Sequence, residues 1–300
     1  MTNSNHITRF YLTIIVFMLS TLCVVASASL KSSPIQKVVN DSIFSLHQDS
    51  LISFYNDIAR QSSDKGRTKA NDRFTAYLNS IINDEYFLEF PFDSLSKQIY
   101  LCDAPDKTFR IINWAVASFK GTYEYHGYIV RKNSDSSSVF ILSDSSSQIQ
   151  NPEFSFTSYK NWFGALYYDL VKSGDKAEPY YVLLGWDGND LFTNKKVIDV
   201  LWFDESGTPH FGKPIFHIKN NKKTRLIFEY TDNSAMRLRW DDKIKMIVFD
   251  HLSPANDRYR NHPEYYGSDF SFDGLAYEKG KWLLVEDLDV RNPKLKKKEK

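Results

Sequence analysis

Apolar side chains recur along this sequence in three rhythms, and each predicts a different kind of element. Residues 10–25 are an apolar run in which Ser20 and Thr21 are the only consecutive polar pair. From 34 to 58, Ile35, Val39, Ile43, Leu46, Phe54 and Ile58 recur mostly at three or four, which predicts an amphipathic helix with Pro34 in its first turn. Residues 62–71, which include Gly66, read as a polar linker. Phe74, Tyr77, Leu78, Ile81 and Ile82 then repeat the helical spacing, with Asn71 or Asp72 as the expected cap. Neither helix buries its apolar face alone, so the two are expected to pack on each other or across the strands C-terminal to them.

After Pro91 the rhythm shortens. Tyr, Phe, Trp, Val and Ile become dense, and turn residues punctuate the chain. The pattern predicts strands near 98–103, 108–117, 122–131, 138–143, 164–171, 180–185, 196–204, 214–218, 224–230, 235–240, 244–250 and 281–287. The stretch around which these are organised is 180–216. Val182, Leu183 and Leu184 lead into Trp186, and Val197, Ile198, Val200, Leu201 and Trp202 return, a piece of β-meander. Asp187, Gly188, Asn189, Asp190 and Asn194 between the arms are turn residues. The fold class expected is α+β: a two-helix N-terminal segment (29–90) followed by a predominantly antiparallel all-β domain (91–292), a sandwich or barrel. A small irregular propeller is the alternative, although no period of blade length recurs.

Arg9 before the apolar run and Ala26-Ser27-Ala28 after it complete the three parts of a secretory leader, so residues 1–28 are expected to be removed and the product secreted or periplasmic. The alternative is an anchor formed by the uncleaved helix. With cleavage Cys102 is the one cysteine left, which excludes an intramolecular disulfide and a Cys/His metal cluster. Net charge is +1, with five lysines and one glutamate in the tail 293–300, so the body is mildly acidic. That balance gives no case for nucleic acid, and no membrane span is expected after cleavage.

Candidate chemistry is sparse. There is no G-x-S-x-G, P-loop, G-x-G-x-x-G or H-E-x-x-H pattern. Asp187, Asn189 and Asp190 put three oxygen-bearing side chains in one loop, a ligand or calcium cluster or, equally in type, ordinary turn chemistry; Ile198 stands where an EF-hand loop would need its glutamate. Asp250-His251 closes a strand, yet neighbours on a strand point to opposite faces, so Asp250 need not orient His251. The six tryptophans, Trp186 among them, suit either a stacking platform or a sheet core. The loop 258–267, with Tyr266, is the longest polar-aromatic connection, and Cys102 is expected to pack as a small hydrophobe. Residues 109–114, 121–125, 184–189, 211–216 and 245–252 together resemble a group of exported bacterial β-rich proteins of no assigned function, and that resemblance implies an exported β domain behind a helical part.

The expected function is a non-catalytic binding module of the cell envelope, whose partner is a glycan, a peptide or another envelope component. The candidate contacts are Trp186, Asp187, Asn189, Asp190, His251 and Tyr266. No cofactor or metal is expected. The alternative is a glycan hydrolase using a carboxylate pair, Asp187 with Asp204 or Asp269 with Glu264.

Overall fold

The computed structural model describes residues 33–133, 136–175 and 178–289, so the expected leader (1–28) and the basic tail lie outside the described residues. The chain divides into two compact units, residues 1–50 and 51–300. In the first, the helix α1 (Pro34–Ala59) begins where the spacing predicts. Its stripe is nonetheless open over this half: Ile35 is 77% and Leu46 69% exposed, and Val39 and Ile43 are exposed as well. The burial expected of that stripe is not found there.

In the second unit the rest of α1 meets α2 (Asp64–Ile81) through Phe54 on Tyr77 and Tyr55 on Phe74, at ring separations of 5.3 and 5.7 Å. The segment read as a linker is in fact the start of α2. Ser63 is the cap, its hydroxyl accepting from the Gly66 amide at 3.1 Å. Apolar spacing missed these first turns because their side chains are largely exposed.

The strands are β1 (Tyr100–Asp103), β2 (Phe109–Ala117), β3 (Tyr123–Lys132), β4 (Ser137–Ser143), β5 (Thr157–Ser158), β6 (Leu166–Gly174), β7 (Pro179–Asp187), β8 (Thr193–Phe203) and β9 (Pro209–Phe211). Then come β10 (Phe216–Ile218), β11 (Asn221–Lys223), β12 (Leu226–Thr231), β13 (Leu238–Asp241), β14 (Met246–Pro254), β15 (Tyr266–Glu278) and β16 (Lys281–Val285). They form three sheets. The first is the meander β1-β2-β3-β4; the second runs β5-β9-β8-β7-β6 with β12 on the first half of β8; the third runs β11-β10-β16-β15-β14-β13. Among the described residues every strand pairing is antiparallel except β10 with β16, and no sheet closes into a barrel. The first sheet has four strands and the other two have six each in different strand orders, so no blade repeats.

The layers follow from which side chains share a face. Phe74 of α2 packs edge-on against Trp114 of β2, whose indole donates to Asn71 at 2.8 Å. On the other face of the first sheet, Phe109, Ile111, Tyr125 and Ile129 join Leu183, Val197 and Leu201 of the second sheet in one core. Val182, Leu184, Ile198 and Val200 point the opposite way, into a second core with Ile247, Phe249, Leu275 and Trp282 of the third sheet. The middle sheet is thus buried on both faces, which is why apolar residues follow one another along the centres of β7 and β8 instead of alternating with polar ones. Cys102 lies in the first core, and burial pushes its thiol pKa up.

Hydrogen bonds tie the first sheet to the second at several points. The Asn113 side chain accepts from the Tyr167 amide at 2.7 Å and donates to the Tyr167 carbonyl at 3.0 Å, acting as a strand neighbour beside the β6 bulge. Asp106, in the β1–β2 turn, receives Lys172, Thr108 Oγ1 (2.6 Å) and Tyr181 Oη (3.0 Å). Burial would raise its pKa, but those hydrogen bonds outweigh it and hold the carboxyl at about 2, below its ordinary 3.8. Its contribution is therefore full above pH 3.8 and lost as pH falls through about 2. Asp106→Asn is expected to lower stability at neutral pH by roughly 1 kcal/mol after solvent screening and to flatten the acid limb of a denaturation curve over that window.

The 13-residue β15 is the one long strand that the sequence pattern does not predict, because Gly267, Ser268, Asp269 and Gly274 give its sequence the look of loop. The short β5 and β11 are too brief to stand out, whereas β9 follows the hairpin turn at residues 204–207 that the meander implies.

Candidate functional site

At one end of the first core, beyond its last apolar residues, the first and second sheets part around a cavity of about 400 Å³. Such a volume falls in the range of small-molecule sites, roughly 300–1,000 Å³. Tyr123 and Tyr125 enter from β3, Asp187 and Asn189 from the end of β7 and its loop, Lys195 from β8, Ile227 and Glu229 from β12, and Ser146, Ser147, Pro152 and Phe163 from the connection between the sheets.

Strand register assembles the polar wall. Lys195 stands opposite Asp187 on one side and opposite Glu229 on the other, so acid, lysine and acid form a row across three adjacent strands. Two residues further along the same face, Val197 and Ile227 are paired. One step beyond, Asp199 and Arg225 are both fully buried, with Arg225 Nε 2.8 Å from the carboxylate but its N–H not aligned on it. Arg225 also donates to the Pro152 carbonyl at 2.8 Å and lies 4.8 Å from the Phe163 ring centroid, so it braces two cavity walls from beneath. Tyr167 donates to Asp199 at 2.8 Å, and burial, then the neighbouring carboxylate, push that phenol well above its usual pKa.

Within the cavity the groups are held in place before any ligand arrives. Tyr125 Oη donates to Asp187 Oδ1 at 2.7 Å and accepts from the Gly188 amide at 2.7 Å. Burial, and then Asp187, raise the Tyr125 pKa, so the phenol stays protonated as a donor. Lys195 Nζ donates to Asn189 Oδ1 at 2.6 Å and lies 4.0 Å from Asp187 Oδ2. Asn189 Nδ2 donates to Thr193 Oγ1 at 2.7 Å, and that hydroxyl donates to Glu229 Oε1 at 2.7 Å. Two glycines let the walls close. A Cβ at Gly188 would lie 2.2 Å from the Tyr123 ring, and Gly164, at φ +74°, leaves room for Asp144, which accepts from the Tyr125 and Ser146 amides.

Of the residues singled out from the sequence, Asp187 and Asn189 line this cavity, and Trp186 backs it, packing edge-on against Tyr123 at 5.4 Å. Asp190 faces a neighbouring cavity. The loop shows the turn chemistry weighed for it: Asn189 has φ +42°, Asp187 Oδ1 accepts from the Asn189 amide, and Asp190 Oδ1 accepts from the Phe192 and Thr193 amides. Among the described residues no group of three or more His, Cys, Asp or Glu is placed to hold a metal.

His251 and Tyr266 lie on the third sheet and line neither cavity. His251 sits in the irregularity where β14 and β15 slip register, and its Nδ1 is 2.8 Å from Asp273. That hydrogen bond raises its pKa, so Asp273 orients it, while Asp250 accepts from the Arg237 amide instead. Tyr266 Oη accepts from the Asn261 amide. The tryptophans are mainly core: Trp114, Trp162 and Trp282 are fully buried.

The pair of Asp187 with Asp204 expected from the sequence is not assembled, and Asp269 and Glu264 do not share a cavity. Asp187 and Asp204 stand at opposite ends of β8, about 30 Å apart at strand rise, and Asp204 secures the β8–β9 turn through Ser206, Thr208 and His210. Glu264 lines the neighbouring cavity, whereas Asp269 does not and is bound into its own turn by Ser271. Tyr123, Tyr125, Lys195 and Glu229 escaped sequence reading. For Lys195 and Glu229 the signal was charge inside apolar strands, in opposite order on two partners: Lys195, Val197, Asp199 against Glu229, Ile227, Arg225.

No family model, curated protein or solved structure matches the chain.

Proposed function

We propose that this chain is a non-catalytic binding module of the cell envelope, exported by its leader, that holds a short saccharide in the cavity between the first two sheets. One observation carries the reading: the cavity offers a tyrosine face, Tyr123, beside a pre-arranged set of donors and acceptors in Asp187, Asn189, Lys195, Glu229, Ser146 and Ser147. A sugar ring presents an apolar face and a rim of hydroxyls, which matches an aromatic wall with mixed polar neighbours. Fixing those groups in advance lowers the ordering cost of binding. Among the described residues no helix is long and apolar enough to cross a membrane.

Calorimetric titration with a panel of short envelope glycans tests this. A glycan is expected to bind, and Tyr123→Ala, which removes a partly exposed ring from the rim, is expected to weaken it about tenfold or more. Binding that is indifferent to Tyr123→Ala counts against the cavity, and absence of binding by every glycan counts against the class. Turnover of a bound glycan would transfer the site to hydrolysis. Asp187 and Glu229, two strand spacings or about 10 Å apart, would then be the pair, close to the separation that inverting enzymes use. Mass spectrometry of the product recovered outside the cytosol is expected to find Ser29 at its N-terminus.

A further inference from the structure

Beside the saccharide cavity lies a second one, of about 440 Å³, lined by Asp190, Phe192, Thr193, Glu229, Glu264 and Tyr265. Glu229 belongs to both, and Asn189, Asp190 and Thr193 form the shared partition. The composition of this second cavity differs from that of the first. It has two aromatic walls and three carboxylates, and no Lys or Arg lines it.

The aromatic walls are exposed without serving a core. Phe192 is 68% and Tyr265 44% exposed. Both are nevertheless held at the main chain, and the Tyr265 ring is also stacked. The Phe192 amide donates to Asp190 and its carbonyl accepts from the Asp232 amide at 2.9 Å, while Tyr265 stacks on Tyr259 at 4.1 Å and its carbonyl accepts from the Ala255 amide at 3.0 Å. The carboxylates are only half used. Glu229 and Glu264 each keep one oxygen with no protein donor among the described residues, their other oxygens being engaged by Thr193 and Asn189 and by His262. Aromatic faces beside unspent negative charge select a cation, through the ring quadrupole and through charge complementarity.

We propose that the second cavity binds a protonated amine, and that the ligand spanning both cavities is a saccharide bearing a free amino group. The proposal rests on the saccharide reading of the first cavity and names the chemical class within it. The ring lies against Tyr123 in the first cavity, and the ammonium passes the Asn189–Thr193 partition to sit between Phe192 and Tyr265, facing Glu264 and Glu229.

The test compares two probes that differ only at the amine: glucosamine tetramers with free amines, at a pH where these are protonated, and the same tetramers fully N-acetylated. Calorimetry is expected to show the free-amine form binding about tenfold more tightly, with an advantage that shrinks as salt is raised. Phe192→Ala and Glu264→Gln, at exposed positions where folding is not at stake, are expected to bring the two forms within about twofold of each other. A third probe, tetramethylammonium alone, is expected to shift the ring resonances of Phe192 and Tyr265 with no sugar present. Equal binding of the two tetramers, or an advantage for the free amine that survives both substitutions, overturns the proposal and leaves the saccharide cavity standing. If neither tetramer binds while tetramethylammonium still shifts the two rings, the saccharide reading fails and the cation site survives. Rings that stay unshifted overturn the cation site itself.

Discussion

Arg225→Met is expected to lower the stability of the β unit by about 3–5 kcal/mol, the cost of leaving one partner of a buried ion pair alone. Asp199 and Arg225 are both sealed from solvent and form an ion pair, and Tyr167 donates a hydrogen bond to Asp199. Removing the guanidinium also removes the donor to the Pro152 carbonyl and the cation against Phe163. A double replacement, Arg225→Met with Asp199→Leu, is expected to recover much of the loss, because well-packed apolar pairs often replace buried ion pairs at little cost. Urea denaturation of the parent, the two single variants and the double variant decides the matter. A single Arg225→Met variant within about 1 kcal/mol of the parent would show that the pair contributes little, an outcome at odds with its burial.

Leu183→Ala and Leu184→Ala are each expected to cost about 2–5 kcal/mol. The comparison is informative because the two residues are neighbours on β7. In a sheet with one wet face, one of them would be nearly free to change. Here both are fully buried, Leu183 in the core shared with the first sheet and Leu184 in the core shared with the third. Thermal and chemical unfolding of the two variants should therefore give losses of similar size. A near-neutral result for either would mean that one face of the middle sheet is uncovered in solution.

That double burial also explains how far the sequence could be read. An unbroken apolar run at 180–184 and a run at 197–202 interrupted only by Asp199 announced strands and even the centre of the fold, but not which core each side chain enters, since periodicity is silent where both faces are dry. β15 was hidden for the opposite reason: its first half is polar and carries two successive turn-like residues, Ser268 and Asp269, just where the strand departs from regular register with β14. The site divides in the same way. Asp187 and Asn189 were legible because a tight loop restricts residue type locally. Tyr123, Lys195 and Glu229 become neighbours only once β3, β8 and β12 are aligned, and nothing local in any of the three segments marks that meeting. His251 was noticed for its adjacent aspartate, yet its true partner, Asp273, comes from across the sheet.

The position of β16 has a consequence for how the molecule is made. It is the last described strand, yet it occupies an interior place between β10 and β15, pairing in parallel with the former. A ribosome that has released residue 218 must still deliver residue 281 before those two edges can be joined. Contacts so distant along the chain form late and close a long loop first. The third sheet therefore stays incomplete until residues 281–285 have emerged, long after the strands of the first two sheets have been delivered.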